Sequence, residues 1–157
     1  MYLIGIFVLC FSGVGLAAVF LKRAEANLTR SKALLEFVSF VRSSVENYSM
    51  TLSEIFESCP SELLNDCGYP MPEEAPNGLW DFFELCDVDD SRIKSILADF
   101  SREFGKNYRY RQSELCGICV DRLRARIGEL EGSLPERRRV IIGVCAACTL
   151  ILLLLLM

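Results

Sequence analysis

VIIGVCAACTLILLLLLM, residues 140–157, holds no charged side chain in eighteen positions and follows directly on Arg137, Arg138 and Arg139. At ~1.5 Å rise per residue such a run makes about 27 Å of helix, close to the ~30 Å hydrocarbon thickness of a bilayer. Eleven of its residues are Val, Ile or Leu, which together favour insertion by roughly 5 kcal/mol with no charge opposing them. The run therefore predicts a C-terminal transmembrane helix over 140–157. The competing reading, a buried helix of a soluble core, rarely needs an unbroken apolar run of this length.

Immediately upstream the pattern is different. Cys116, Val120, Leu123, Ile127, Leu130 and Leu134 recur at helical spacing as one apolar seam, while Arg122, Arg124, Arg126, Glu129 and Glu131 lie between them. One helix starting near Asn107 is thus expected to pack its seam on a protein core and then enter the membrane. Pro135 lacks an N–H and crowds the preceding turn, so a kink or break is expected there.

At the other end, Tyr2 to Leu21 is a second uncharged run, closed by Lys22 and Arg23. A cleaved signal peptide fits poorly, because its charges should precede the apolar stretch and here they follow it. An uncleaved transmembrane helix over 1–21 is the expectation. Lys22, Arg23, Arg137, Arg138 and Arg139 are the membrane-boundary basic residues, and all face the central segment 22–139, which the positive-inside rule assigns to the cytoplasm. Two spans with both chain ends on the far side follow. Gly13 with Ala17, and Gly143 with Ala147, place small residues on one face of each span. This spacing permits close helix packing in lipid, with other membrane proteins or in a homo-oligomer.

Between the spans no stretch alternates with period two. Leu34, Phe37, Val38, Val41, Val45 and Tyr48 mark the apolar face of a long helix over about 27–47. Thr51-Leu-Ser-Glu54 matches a capping box ahead of Ile55 and Phe56. Pro60 opens a short helix with Leu63 and Leu64 that stops at Gly68. A proline-rich loop follows, and then Leu79, Trp80, Phe82, Phe83 and Leu85 form the densest aromatic cluster, expected as the core centre. Asp89 and Asp90 are expected to cap a helix with Ile93, Ile96, Leu97, Phe100 and Phe104 on its seam and Gly105 at its stop. The fold class is all-α: a cytoplasmic helical bundle flanked by N- and C-terminal transmembrane helices.

The net charge of -4 conceals a strong asymmetry, since 43–91 carries twelve acidic residues and no Lys or Arg. A solvated acidic face is the plain interpretation. The functional one is a docking face for a basic partner, with Glu73, Glu74, Asp87 and Asp89 as its candidate residues. Nucleic acid is disfavoured by that acidic surface.

Eight cysteines and no histidine raise a redox or metal question, centred on the Cys116-Gly-Ile-Cys119 pair. The pair falls inside a helix, not at a helix N-terminus where a dipole would favour thiolate; the second such pair, Cys145-Ala-Ala-Cys148, falls in the expected span, and Cys59, Cys67 and Cys86 show no zinc-ligand spacing. Buried reduced cysteines acting as small hydrophobes are the expectation. There is no phosphate-binding glycine loop, no nucleophile elbow and no histidine base. The chain is expected to be no enzyme and to need no cofactor.

With its N-terminal span ending at Lys22, Tyr48 followed by Thr51-Leu52-Ser53-Glu54-Ile55-Phe56, Leu97 with Phe100, Phe104-Gly105, Gln112, and Gly143 before a polyleucine end, the chain resembles the stage III sporulation protein AB family. The resemblance runs nearly end to end. It implies a structural membrane component of the secretion-like channel joining mother cell and forespore, placed in the cell membrane with its central domain on the mother cell side. It implies a domain like the cytoplasmic domain of type II secretion F platform proteins. Its implied partners are a secretion-type ATPase and other channel membrane proteins. Two alternatives stand beside it: a redox or metal-sensing membrane protein using Cys116 and Cys119, and a regulatory membrane adaptor outside sporulation.

Overall fold

The computed structural model describes residues 2–48, 50–70, 76–106 and 109–156, with side chains for all of these except 2–14, 109, 152, 153, 155 and 156. Its elements are α1 (Tyr2–Ser43), a π-helical turn (Ser44–Tyr48), α2 (Leu52–Ser58), α3 (Ser61–Asp66), α4 (Leu79–Leu85), α5 (Ser91–Glu103) and α6 (Arg109–Leu156). No strand occurs among the described residues, and the protein is all-α. It divides into two compact units, Asn27–Glu129 and the pair of terminal segments Met1–Ala26 and Leu130–Met157.

In the unit Asn27–Glu129 the core is built around Phe37 of α1, which is fully buried. Its ring stacks on Phe82 with centroids 4.4 Å apart and on Phe56 at 5.8 Å, and it meets the edge of Phe83 at 6.1 Å. Three helices, α1, α2 and α4, thus converge on one side chain. Leu34, Val38 and Val41 continue this face of α1 and Val45 extends it into the π-helical turn, and Cys116, Val120, Leu123 and Ile127 supply the buried seam of α6. The aromatic cluster on α4 divides differently from the sequence expectation. Leu79, Phe82 and Phe83 are buried, whereas Trp80 and Leu85 are 49% and 48% exposed. A seven-residue helix has one apolar face, and positions 80 and 85 fall off it.

Tyr48 is a second departure, at 70% exposure. The π-helical turn over Ser44–Tyr48 holds more residues per turn than an α-helix. Val45 therefore stays on the buried face while Tyr48 is carried away from it.

The local signals in the short helices are met in the structure. Thr51 donates its backbone N–H to the Glu54 carboxylate at 2.7 Å and accepts from the Glu54 N–H at 3.5 Å, completing the capping box of α2. At the end of α3, Tyr69 N–H reaches the Leu64 carbonyl at 3.1 Å and Gly68 N–H the Asn65 carbonyl at 2.9 Å. This is a Schellman turn, and Gly68 holds the φ of 80° that it requires.

The long helix α6 departs from expectation at Pro135. α6 runs unbroken through Pro135. A proline removes a single rung of the hydrogen-bond ladder, and the helix-favouring residues on both sides carry the remaining rungs across. Among the described residues no helix is long and apolar enough to cross a membrane. Most of the run 2–21 and the end of the run 140–157 lie outside the described side chains.

The convergence on Phe37 sets a clear expectation. Phe37→Ala should destabilise the protein by about 3 to 5 kcal/mol, since it empties the site where the rings meet. Trp80→Ala, at a half-exposed site, should cost less than about 1 kcal/mol. Chemical denaturation of the purified chain, followed by helical circular dichroism, separates the two.

Candidate functional site

The linker from Cys86 to Asp90 joins α4 to α5, and its acidic side chains are engaged within the protein. Cys86 and Val88 point inward at 3% and 4% exposure, so the alternating carboxylates are turned outward. Arg30 of α1 donates to the Asp87 carbonyl at 2.9 Å and also pairs with the Asp87 carboxylate. Asn27, three residues earlier on α1, donates to Asp89 at 2.7 Å. Asp90 reaches the other way, accepting from Arg126 of α6 at 2.8 Å. The linker therefore ties α1 and α6 to the start of α5.

Asp90 is the centre of this clasp. Its Oδ1 caps α5 by accepting from the Arg92 and Ile93 N–H groups, both at 3.0 Å. Arg126 is fixed in turn by Glu129 at 2.6 Å. The Asp90 and Arg126 side chains are only 16% and 19% exposed, so this pair is screened far less than a surface one. Burial acts to raise the Asp90 carboxyl, but the Arg126 guanidinium and the capping N–H groups outweigh it and hold the group below its usual range. Arg126 is pushed upward, by Asp90 first and Glu129 next. A second tie links the π-helical turn to α6, where Glu46 accepts from Arg42 at 3.0 Å and from the Ser113 hydroxyl.

Of the four candidate docking acids, Asp87 and Asp89 are exposed but bonded to α1, and Glu73 and Glu74 lie outside the described residues. The structure does not bring the four together as one described face. Glu57, Glu62, Asp66 and Glu84 are exposed as well.

Two surface features escaped the sequence reading. Between α5 and α6 lies a groove of about 420 Å³ with Ile96, Phe100, Leu115 and Ile118 among its lining and Arg111 and Arg122 beside them. Its α6 side, at positions 111, 115, 118 and 122, has the same helical spacing as the core seam. That spacing was present in the sequence, but the arginines interrupt the apolar signal. On the opposite flank of α5 is a smaller cleft of about 250 Å³ lined by Trp80, Glu84, Lys94 and Leu97.

Cys116 and Cys119 are 0% and 3% exposed inside α6, and burial pushes each thiol up to about 12. Cys86 is likewise pushed to about 12 and Cys59 to about 11, again by burial. Thiolate is the nucleophile and the metal ligand, and these sites disfavour it. Among the described residues no three His, Cys, Asp or Glu side chains are grouped to hold a metal ion.

In the terminal unit, Lys22, Arg23, Arg137, Arg138 and Arg139 are all exposed. Ala17 is buried, and Gly13 falls among the residues whose side chains are not described. Gly143 and Ala147 are exposed, and a Cβ placed on Gly143 would meet nothing within 4 Å. The less exposed face of this part of α6 carries Ile141, Cys145 and Thr149 instead.

Two outcomes follow from this geometry. Asp90→Ala should cost about 2 to 4 kcal/mol, the sum of a helix cap and a charge-assisted bond, and Asp90→Asn less because it keeps the cap. Since the folded carboxyl lies below its unfolded value of ~3.9, its contribution is complete above about pH 4 and is lost as pH falls through the folded value. The stability gap between wild type and Asp90→Asn should therefore close in acid, as read from denaturation midpoints across pH. Separately, Cys59, Cys67, Cys86, Cys116 and Cys119 should resist iodoacetamide at pH 8 in the folded chain and react on denaturation, as read by mass spectrometry.

Set against known proteins, the chain matches no family model, no curated protein and no solved structure. The resemblance to the stage III sporulation protein AB family rests on the residues quoted for it.

Proposed function

We propose that this protein is a membrane-anchored helical adaptor, held in the bilayer by both ends and offering its bundle to soluble partners. The observation that carries this reading lies in the terminal unit. Leu16, Val19, Phe20, Val140, Ile142 and Val144 are each more than half exposed, as are Leu150, Ile151 and Leu154. Apolar surface in water costs about 25 cal/mol per Å², and lipid removes that cost. The exposed cations Lys22, Arg23, Arg137, Arg138 and Arg139 close each apolar run, where lipid headgroups would receive them. The two apolar runs then act as spans, with the bundle on the cytoplasmic side.

The setting comes from the sequence resemblance. It makes the protein a structural component of the channel between mother cell and forespore and a platform for a secretion-type ATPase. The bundle suits such a role, because Asp87, Asp89 and Asp90 tie its helices together while other acidic side chains stay exposed. Glu57, Glu62 and Asp66 are exposed on α2 and α3, where they are available to steer a basic partner surface.

Alkaline carbonate extraction of membranes tests the anchoring. The full chain should remain in the membrane pellet. A Ser58→Cys variant, placed at an exposed site, should gain labelling by an impermeant maleimide over wild type in inverted vesicles and not in intact cells. Release by carbonate would overturn the spans, and labelling of intact cells would overturn the cytoplasmic placement.

A further inference from the structure

The groove and the cleft on the two flanks of α5 are chemical complements, and each is otherwise unexplained. Arg111 and Arg122 beside the groove make no ion pair among the described residues, whereas other cations of this region do. Arg102 lies 3.9 Å from Asp99, Arg124 lies 3.6 Å from Asp121, and Arg126 is held by Asp90 and Glu129. Between the two free guanidiniums sit Leu115 and the 46% exposed Ile118. The α6 side of the groove is thus an apolar strip with a guanidinium at each end, while Asp99, Arg102 and Glu103 line its α5 side. On the other flank, Trp80 leaves half its surface in water beside Glu84, an exposed carboxylate with no described partner.

A half-exposed tryptophan next to a free acid is the kind of group that an apolar strip with free arginines accepts, since Trp and Arg dominate well-packed contacts. One molecule cannot join the two. Ile96, Asp99 and Phe100 of α5 line the groove and Lys94, Leu97 and Ala98 line the cleft, so the helix itself stands between them. Two molecules related by a two-fold axis beside α5 satisfy both contacts at once, and the contact closes without leaving a free end. The secondary charges agree, because Lys94 in the cleft would then face a groove that contains Glu103.

We infer that two copies of this chain pack across α5, with Trp80 and Glu84 of each seated against Arg111, Ile118 and Arg122 of the other. The partner is a second copy because this chain supplies both halves of the complementarity. The contact does not depend on the membrane spans.

Light scattering of the full chain in detergent, across protein and salt concentrations, gives the mass of the protein component. Wild type should be a dimer that weakens as salt rises. Glu84→Arg alone and Arg122→Glu alone place like charges opposite each other, and each should raise the dimer dissociation constant at least about tenfold. An equimolar mixture of the two variants should recover the dimer, because in the heterodimer both contacts regain opposite charges. Glu84 and Arg122 are both exposed, so helical content should be unchanged. A monomeric wild type, a dimer indifferent to both reversals, or a mixture that stays monomeric would each overturn the proposal.

Discussion

The Asp90–Arg126 pair is the constraint on which the bundle depends. One carboxylate closes the N-terminus of α5 and simultaneously binds a guanidinium of α6 at 2.8 Å. With Arg30 and Asn27 of α1 holding Asp87 and Asp89, a five-residue linker orients three helices. Charge pairs at the surface contribute little, but this one is mostly buried and hydrogen-bonded on both partners, so breaking it would leave an uncompensated charge. The acidic character of the segment 43–91 is in part a structural device. Cations on the long helices neutralise acids that local sequence leaves unmatched.

Around that clasp the core is made of rings. Phe37 sits where α2 and α4 meet α1, and Phe83 passes the contact on to Phe100 of α5 and thence to Phe104. Short helices of six or seven residues are marginal on their own. Here they persist because they bury large apolar side chains, and α2 and α3 add caps of their own at Thr51 and Gly68. Cys59, Cys67, Cys86, Cys116 and Cys119 belong to this interior. Buried thiols raised far above neutrality behave as small apolar groups, and their abundance is a matter of packing volume.

The surfaces divide by chemistry. The terminal unit turns aliphatic side chains outward, which suits lipid, while the bundle turns outward a mixture of free acids, free arginines and a few large apolar groups. Trp80 and Ile118 stand out among the last, because neither is needed by the core and each lies beside an unmatched charge of the sign the other lacks. Among the described residues Glu84, Arg111 and Arg122 make no ion pair, and their exposure leaves those charges open to a second surface.

Sequence alone determined the local features: the all-α class, the capping box at Thr51, the stop at Gly68, the Asp90 cap and the seam of α6 from Cys116 to Ile127. Each depends on residues within about one or two turns of one another, so helical period and cap chemistry suffice to read them. The tertiary structure decided what those elements meet. That Arg126 is an interior partner, that Asp87 and Asp89 bind α1, and that Trp80 faces water depend on contacts between residues tens of positions apart, as in the 57 residues separating Arg30 from Asp87. Tyr48 and Pro135 make the same point at short range. A π-helical turn rotated the one off its expected face, and the ladder on either side carried the helix through the other. Periodicity records which side of a helix is apolar, but which charge finds which partner is settled only when distant segments of the chain are packed together.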